Sequence, residues 1–275
     1  MHGAKGHGLL NLHASEPEKI LATPPLPAAS VSWALFLDID GTLVELEAHP
    51  EMVCIAPATL DLLHSLASVL HGALAMLSGR NLSDIDRLLT PLILPAGALH
   101  GIERRDVAGR LTTVNPPAEI AAQVGLACRQ QADLLQNVWV EEKSGIAFAL
   151  HFRAAPHQRE AVIQRTKAIA ASSAGWYSVQ LGNGVAELKP AGSDKGAALR
   201  ALLDSSPFQG RVPVVLGDDL TDETAFAMAE QLGGLAIVVG DRRPTLAHYA
   251  LDSPKDVIKW LETLVEHLRK LELAP

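Results

Sequence analysis

The sequence predicts an α/β protein, a doubly wound, Rossmann-like core around a parallel sheet with a smaller α+β module inserted into it. Four apolar runs, over 33–37, 73–77, 212–216 and 235–239, each pass straight into polar or glycine residues: Asp38, Ser78, Gly217-Asp218 and Gly240-Asp241. Unbroken runs of this length suit parallel strands buried on both faces. Helical periodicity fills the intervals, over 57–71, 81–89, 195–203 and 221–231. The middle of the chain has a different period. Ile146, Phe148, Leu150 and Phe152 alternate with Ala147, Ala149, His151 and Arg153, the mark of a strand covered on one face only.

Taken in order, residues 1–30 mix Gly, His, Pro and Ala without periodicity and are expected to form a loose arm. Residues 31–113 open the core. Strands over 137–142, 176–181 and 185–189, with helices over 117–136 and 156–172, build the inserted cap across 114–189. Residues 190–275 return to the core. They close on a helix over 254–271, whose Val257, Ile258, Leu261, Leu264, Val265, Leu268 and Leu271 fall at helical spacing.

Composition narrows the function classes. A net charge of −8 without clustered Lys and Arg argues against nucleic acid or an anionic membrane surface as the main partner. No apolar run is long enough to span a bilayer, so the reading is a cytoplasmic protein, working as a monomer on a small molecule. Cys54 and Cys128 lack metal-type spacing and are expected to be reduced, buried thiols.

In doubly wound sheets ligands sit beyond the carboxyl ends of the strands, so Asp38, Ser78 and Asp218 should converge on one crevice. In Asp38-Ile39-Asp40-Gly41-Thr42, two carboxylates on one strand face repel unless a cation or a proton intervenes. Asp38 is placed to attack a phosphorus atom, and Asp40 beside it to protonate the leaving oxygen and later activate water. Thr42 and Ser78 offer hydroxyls to phosphoryl oxygens. Magnesium prefers oxygen ligands and retains waters, so Asp38, the Asp40 carbonyl and Asp218 would hold it, with Asp219 and Asp222 steadying waters around it. Acids so placed also suit a helix start. Lys195 stands at a helix start where the dipole disfavours a cation, which suggests that it offsets phosphoryl charge.

The order Asp-x-Asp-Gly-Thr, Ser78, Lys195, Gly217-Asp218-Asp219-Leu220-Thr221-Asp222 resembles the haloacid-dehalogenase (HAD) superfamily of phosphatases, and the insert resembles its larger α/β caps. Further stretches resemble trehalose-6-phosphate phosphatases: Leu77-Ser78-Gly79-Arg80, His100-Gly101-Ile102-Glu103, Val140-Glu141-Glu142-Lys143, Ala149-Leu150-His151-Phe152-Arg153 and Glu187-Leu188-Lys189-Pro190. The resemblance implies a HAD-type core and magnesium-dependent conversion of trehalose 6-phosphate and water to trehalose and phosphate through an aspartyl-phosphate. It implies Asp38 as nucleophile, Asp40 as acid/base, Thr42, Ser78 and Lys195 as phosphoryl holders, and Asp38, Asp40 and Asp218 as metal ligands. Glu142, Lys143 and Glu187, assisted by Arg80 and the Gly101 backbone, are expected against the hydroxyls of a phosphorylated disaccharide. Alternatives with the same core are phosphatases of sucrose phosphate or mannosyl phosphoglycerate; a phospho-acceptor signalling domain or a silent sugar-phosphate sensor would use similar groups without rapid turnover.

Overall fold

The computed structural model describes residues 21–47, 49–182 and 184–273. The central sheet begins with β1 (Trp33–Leu37), every side chain of which is buried. Helix α1 (Pro57–Val69) returns the chain to β2 (Leu74–Leu77), and α2 (Leu82–Leu89), capped by Asn81, carries it onward. Three short strands absent from the sequence reading follow: β3 (Ala96–Ala98), β4 (Glu103–Arg105) and β5 (Leu111–Thr113).

A second unit then forms from α3 (Ala118–Asp133), β6 (Trp139–Lys143), β7 (Ala147–His151), α4 (Arg159–Ser172), β8 (Tyr177–Gly182) and β9 (Val185–Pro190). The chain re-enters the core through α5 (Lys195–Leu203), β10 (Val212–Gly217), α6 (Glu223–Gln231), β11 (Leu235–Val239), β12 (Tyr249–Leu251) and α7 (Pro254–Glu272).

Among the described residues the larger sheet has the order β12-β11-β10-β1-β2-β3-β4-β5. Pairing is parallel from β12 to β3 and antiparallel for β4 and β5. The chain winds outward from β1 through β2 and β3, then restarts on the other side of β1 at β10. That reversal opens a crevice beyond the carboxyl ends of β1 and β10, where Asp38 and Asp218 stand.

The second sheet, β6-β7-β9-β8, is antiparallel throughout. Phe148, Leu150 and Leu188 pack with Val124 and Cys128 of α3 and Val162 and Ile169 of α4. The expectation that β7 is covered on one face only is corrected: Ala147 and Ala149 are also buried, and Ala147 closes on Leu99 and Ile102 of the core. Small alanines allow the two units to approach there, so the alternation of large and small residues marks two covered faces.

Two other expectations change. Residues 1–20 of the expected arm lie outside the described residues, but 21–27 are tied to the core while 28–30 are exposed. Ala22 bridges Tyr249, Leu21 and Leu26 pack on the core, and His267 Nε2 donates to the Pro27 carbonyl at 2.7 Å. Of the two free thiols Cys128 is buried, whereas Cys54 is exposed. Among the described residues no helix is long and apolar enough to cross a membrane.

Candidate active site

Asp38 leaves β1 with 5% of its surface exposed, and its backbone N–H donates to the Leu216 carbonyl of β10. Gly41 then turns the chain at φ +75°, a conformation that favours glycine. The turn is also tight. A Cβ on Gly41 would lie 2.2 Å from Asp218 Oδ2, so the missing side chain is what lets β10's acid sit against the β1 turn.

Lys195, the first residue of α5, is buried with 2% exposure, and its Nζ lies 2.7 Å from Asp222 Oδ1 and 2.9 Å from Asp38 Oδ1. The dipole cost of a cation at a helix start is therefore met by two carboxylates. Burial alone would depress its pKa, but Asp222 and Asp38 hold it above the ordinary lysine range.

Asp38, Asp218 and Asp222 present carboxylate oxygens within 4.8 Å of one another. Burial raises the Asp38 pKa well above the usual carboxylate range; Lys195 opposes the shift, and Asp222 and Asp218 add to it. Asp218 is pushed up to about 6, chiefly by burial and then by Asp222 and Asp219. Two of the three carboxylates, Asp38 and Asp222, share the Lys195 ammonium. Asp218 Oδ1 and Thr42 Oγ1 are buried without a hydrogen-bond partner among the described residues. This donor set, oxygen-rich and left with excess negative charge, fits a hard divalent cation.

The structure redistributes the second acidic cluster. Asp219, expected to steady water at the metal, is exposed and starts a short 3-10 turn over Leu220–Asp222, its side chain accepting from the Leu220 N–H at 2.7 Å. That turn displaces the expected helix start from 221 to Glu223. Asp222 faces inward instead. Its Oδ2 accepts from the Asp219 N–H at 3.1 Å while Oδ1 binds Lys195, and glycine at 217 makes the space, since a Cβ there would lie 2.1 Å from the Asp222 carboxyl carbon.

Asp40 lies between this centre and a cavity of about 590 Å³ shared by core and second unit, lined by Arg80, Asn81, Asp84, Glu141, Glu142 and Lys143 among others. Arg80 grips both Asp40 oxygens, Nε to Oδ2 at 2.7 Å and Nη2 to Oδ1 at 2.6 Å. Its guanidinium, expected against the sugar, is thus directed at Asp40. Ser78 is fully buried at the end of β2, its Oγ accepting from the Arg80 N–H at 3.2 Å.

Of the residues expected at the sugar, Lys143 reaches Glu187 Oε1 at 3.2 Å, and Glu142 pairs with Arg129 of α3 at 3.0 Å. Gly101 is turned elsewhere. At φ +94° it abuts the start of α5, where a Cβ would lie 2.3 Å from the Asp194 carbonyl oxygen, and its own carbonyl accepts from Arg104 Nε at 3.1 Å.

Three groups lie in the stretches that carry the resemblance but receive no role from the sequence. Glu141 lines the cavity and accepts from His151 Nε2 at 2.8 Å, with Trp139 stacked on that imidazole at 4.0 Å. His100 adopts φ +54° with its Nδ1 buried and unpartnered among the described residues, and burial, with Lys195, Lys189 and Lys143, holds its pKa well below the ordinary value. Lys189 is buried on β9. The two-residue period of a strand places Lys189 on the same face as Glu187, which the resemblance singles out.

Residues 36–255 match the family model described as trehalose-phosphatase. Trehalose-6-phosphate phosphatase of Escherichia coli (strain K12) is 38% identical over 253 residues, covering 90% of this chain and 93% of that protein. Among solved structures, Aspergillus fumigatus trehalose-6-phosphate phosphatase superposes with a TM-score of 0.67 at 23% identity, covering 85% of this chain and 92% of that one. A phosphatase of the HAD superfamily from Bacteroides thetaiotaomicron superposes with a TM-score of 0.62 at 15% identity, over 91% and 98% of the two chains. Sequence likeness along nearly the whole length and a HAD-type fold agree: the chain belongs to the trehalose-phosphatase family.

Proposed function

We propose that this chain is a magnesium-dependent phosphohydrolase converting trehalose 6-phosphate and water to trehalose and phosphate, with 31–113 and 190–275 as catalytic core and 114–189 as the cap that selects the sugar. The observation that carries the reading is the buried Asp38 at the end of β1, held by Lys195 at 2.9 Å within a cluster of acids that fits a divalent cation.

Lys195 engages Asp38 Oδ1, which directs Oδ2 to attack the phosphorus and form the aspartyl-phosphate. The Lys195 ammonium and the buried Thr42 and Ser78 hydroxyls then receive the phosphoryl oxygens. Asp38, Asp218 and the Asp40 carbonyl would hold magnesium, with Asp222 beside them. When bound, the ion would neutralise charge developing on the phosphoryl group. Asp40 delivers a proton to the departing sugar oxygen and takes one from the hydrolytic water. Because Arg80 occupies both Asp40 oxygens, the guanidinium has to yield one of them as the leaving oxygen arrives. On the sugar side, Glu142 and Lys143 line the cavity, and Glu187 steadies Lys143.

Phosphate release from trehalose 6-phosphate, sucrose 6-phosphate and glucose 6-phosphate, each with and without magnesium, tests the substrate. Preference for the first, lost without the metal, is expected; equal rates on all three would exclude the disaccharide assignment. Asp38→Asn should abolish turnover with the fold intact, and near-native release by that variant would remove the aspartyl-phosphate from the mechanism.

A further inference from the structure

Among the described residues the buried cations are paired, with one exception. Arg80 holds Asp40, Arg105 holds Asp86, and Lys195 holds Asp38 and Asp222. Lys189 is 7% exposed, yet among the described residues it has neither an ion pair nor a hydrogen bond from its ammonium. The side chain is largely desolvated while its Nζ is not among the fully buried atoms, so the ammonium can be reached and completed by a group from outside the fold.

Strand register shows where the ammonium is aimed. Glu187 stands opposite Ala149, and Leu188 opposite Phe148, so Glu187 and Lys189 share the face of β9 opposite to Leu188. Leu188 belongs to the cluster under α3 and α4, whereas Ala147, on the same face as Ala149, packs on Leu99 and Ile102 of the core. Lys189 therefore points out of the second unit towards the core, within the field of Lys143 and Lys195. Pro190 ends the strand immediately after it, and Lys195 follows at the start of α5.

The carboxylates near enough to influence it are already engaged: Asp194 caps α5 by accepting from the Ala197 N–H at 2.8 Å, and Glu187 holds Lys143 at 3.2 Å. Burial lowers the Lys189 pKa most, Asp194 and Glu187 resist, and Lys143 and Lys195 push it further down. His100, with its unpartnered Nδ1, lies within the field of the same three lysines. Lys143, Lys189 and Lys195 thus act on one another and on His100, and among the described residues no carboxylate is paired with Lys189.

We propose that Lys189 is a substrate-contacting, specificity-determining residue whose ammonium is completed by oxygen atoms of the bound phosphorylated sugar, on the side of the sugar next to the phosphoryl group. This rests on the phosphatase reading above. The sugar moiety supplies hydroxyl oxygens as acceptors beside the phosphoryl group, and an ammonium with three donors suits them. Pairing left to the substrate converts the desolvation penalty into discrimination, because a ligand lacking those oxygens leaves the cation unpaired.

The test compares Lys189→Met and Lys189→Gln with the unaltered enzyme in magnesium. It measures KM and kcat for trehalose 6-phosphate, the same constants for p-nitrophenyl phosphate, which has no sugar hydroxyls, and thermal unfolding. Expected for Lys189→Met are a kcat/KM on the sugar phosphate lower by about 10- to 100-fold, carried mainly by KM, p-nitrophenyl phosphate turnover within about twofold, and an unfolding temperature unchanged or raised. Equal losses on both esters, or an unchanged kcat/KM on the sugar phosphate, would overturn the proposal. Should methionine prevent folding, the ratio between the two esters in Lys189→Gln decides. If the unaltered enzyme left trehalose 6-phosphate intact, the previous section's reading would fail on its own, and the same ratio taken on the sugar phosphate that turns over fastest would still judge Lys189.

Discussion

Replacing Lys195 by methionine removes one charge while keeping most of the side-chain volume, so its consequences report on charge rather than packing. Nζ lies 2.7 Å from Asp222 and 2.9 Å from Asp38, both carboxylates almost inaccessible to water. Removing one partner of a buried ion pair costs about 3–5 kcal/mol. Because this lysine serves two carboxylates, the upper end, about 5 kcal/mol, is expected at pH 8 without metal. The loss should depend on pH in a definite direction. Asp38 and Asp222 already have pKa values raised by burial, and without the ammonium they rise further. A carboxyl raised in the folded state supports folding below its unfolded pKa and loses that contribution as pH rises through the folded value. The deficit of Lys195→Met against the unaltered protein should therefore be largest at pH 8 and shrink towards pH 5, as protons replace the lysine. Urea denaturation in EDTA at the two pH values, followed by tryptophan fluorescence, measures this. Adding Asp222→Asn should restore most of the stability at pH 8, whereas turnover should stay lower by at least about 1000-fold, because the phosphoryl charge still lacks its counterion. A deficit equal at both pH values, or none at pH 8, would refute the electrostatic account of this triad.

Gly41→Ala must hold a Cβ at φ +75° and 2.2 Å from Asp218 Oδ2. A stability loss of about 1–2 kcal/mol with turnover lower by more than about 100-fold is expected from kinetics and melting, since the acid rather than the turn has to move. In metal-free protein the Asp218 carboxyl, pushed up to about 6, stabilises the fold below pH 4 and loses that contribution as pH rises through about 6. Magnesium should accordingly raise the melting temperature more at pH 7.5 than at pH 5, and the reverse order in a thermal-shift assay would contradict the charge balance drawn for the site.

Legibility in the sequence followed the physics of each element. The long core strands are apolar throughout because parallel strands between helices bury both faces, and Leu235–Val239 keeps the bounds that its run suggests. Strands of three residues, such as Ala96–Ala98 and Glu103–Arg105, are shorter than any periodicity. β4 is also charged, and its Arg105 is buried only because Asp86 and the Leu94 carbonyl receive the guanidinium. No local pattern announces such a partnership between distant residues.

The same reasoning separates the acids. Asp38 and Asp40 are fixed by the strand that precedes them, whereas Asp218, Asp219 and Asp222 fall within five residues, and their directions depend on how the chain leaves β10. Asp219 and Asp222 form a capping box, whose two side chains reciprocally satisfy backbone donors at the start of the turn. That motif is readable at the spacing Asp-x-x-Asp. It assigns Asp219 outward to the cap and leaves Asp222 directed back over the strand, where only glycine at 217 provides room and only a buried cation could compensate its charge. Gly217, Asp222 and Lys195 are therefore one device. The glycine admits the acid, the acid anchors the lysine, and the lysine holds the Asp38 carboxylate, so Asp222 governs the orientation of Asp38 through Lys195.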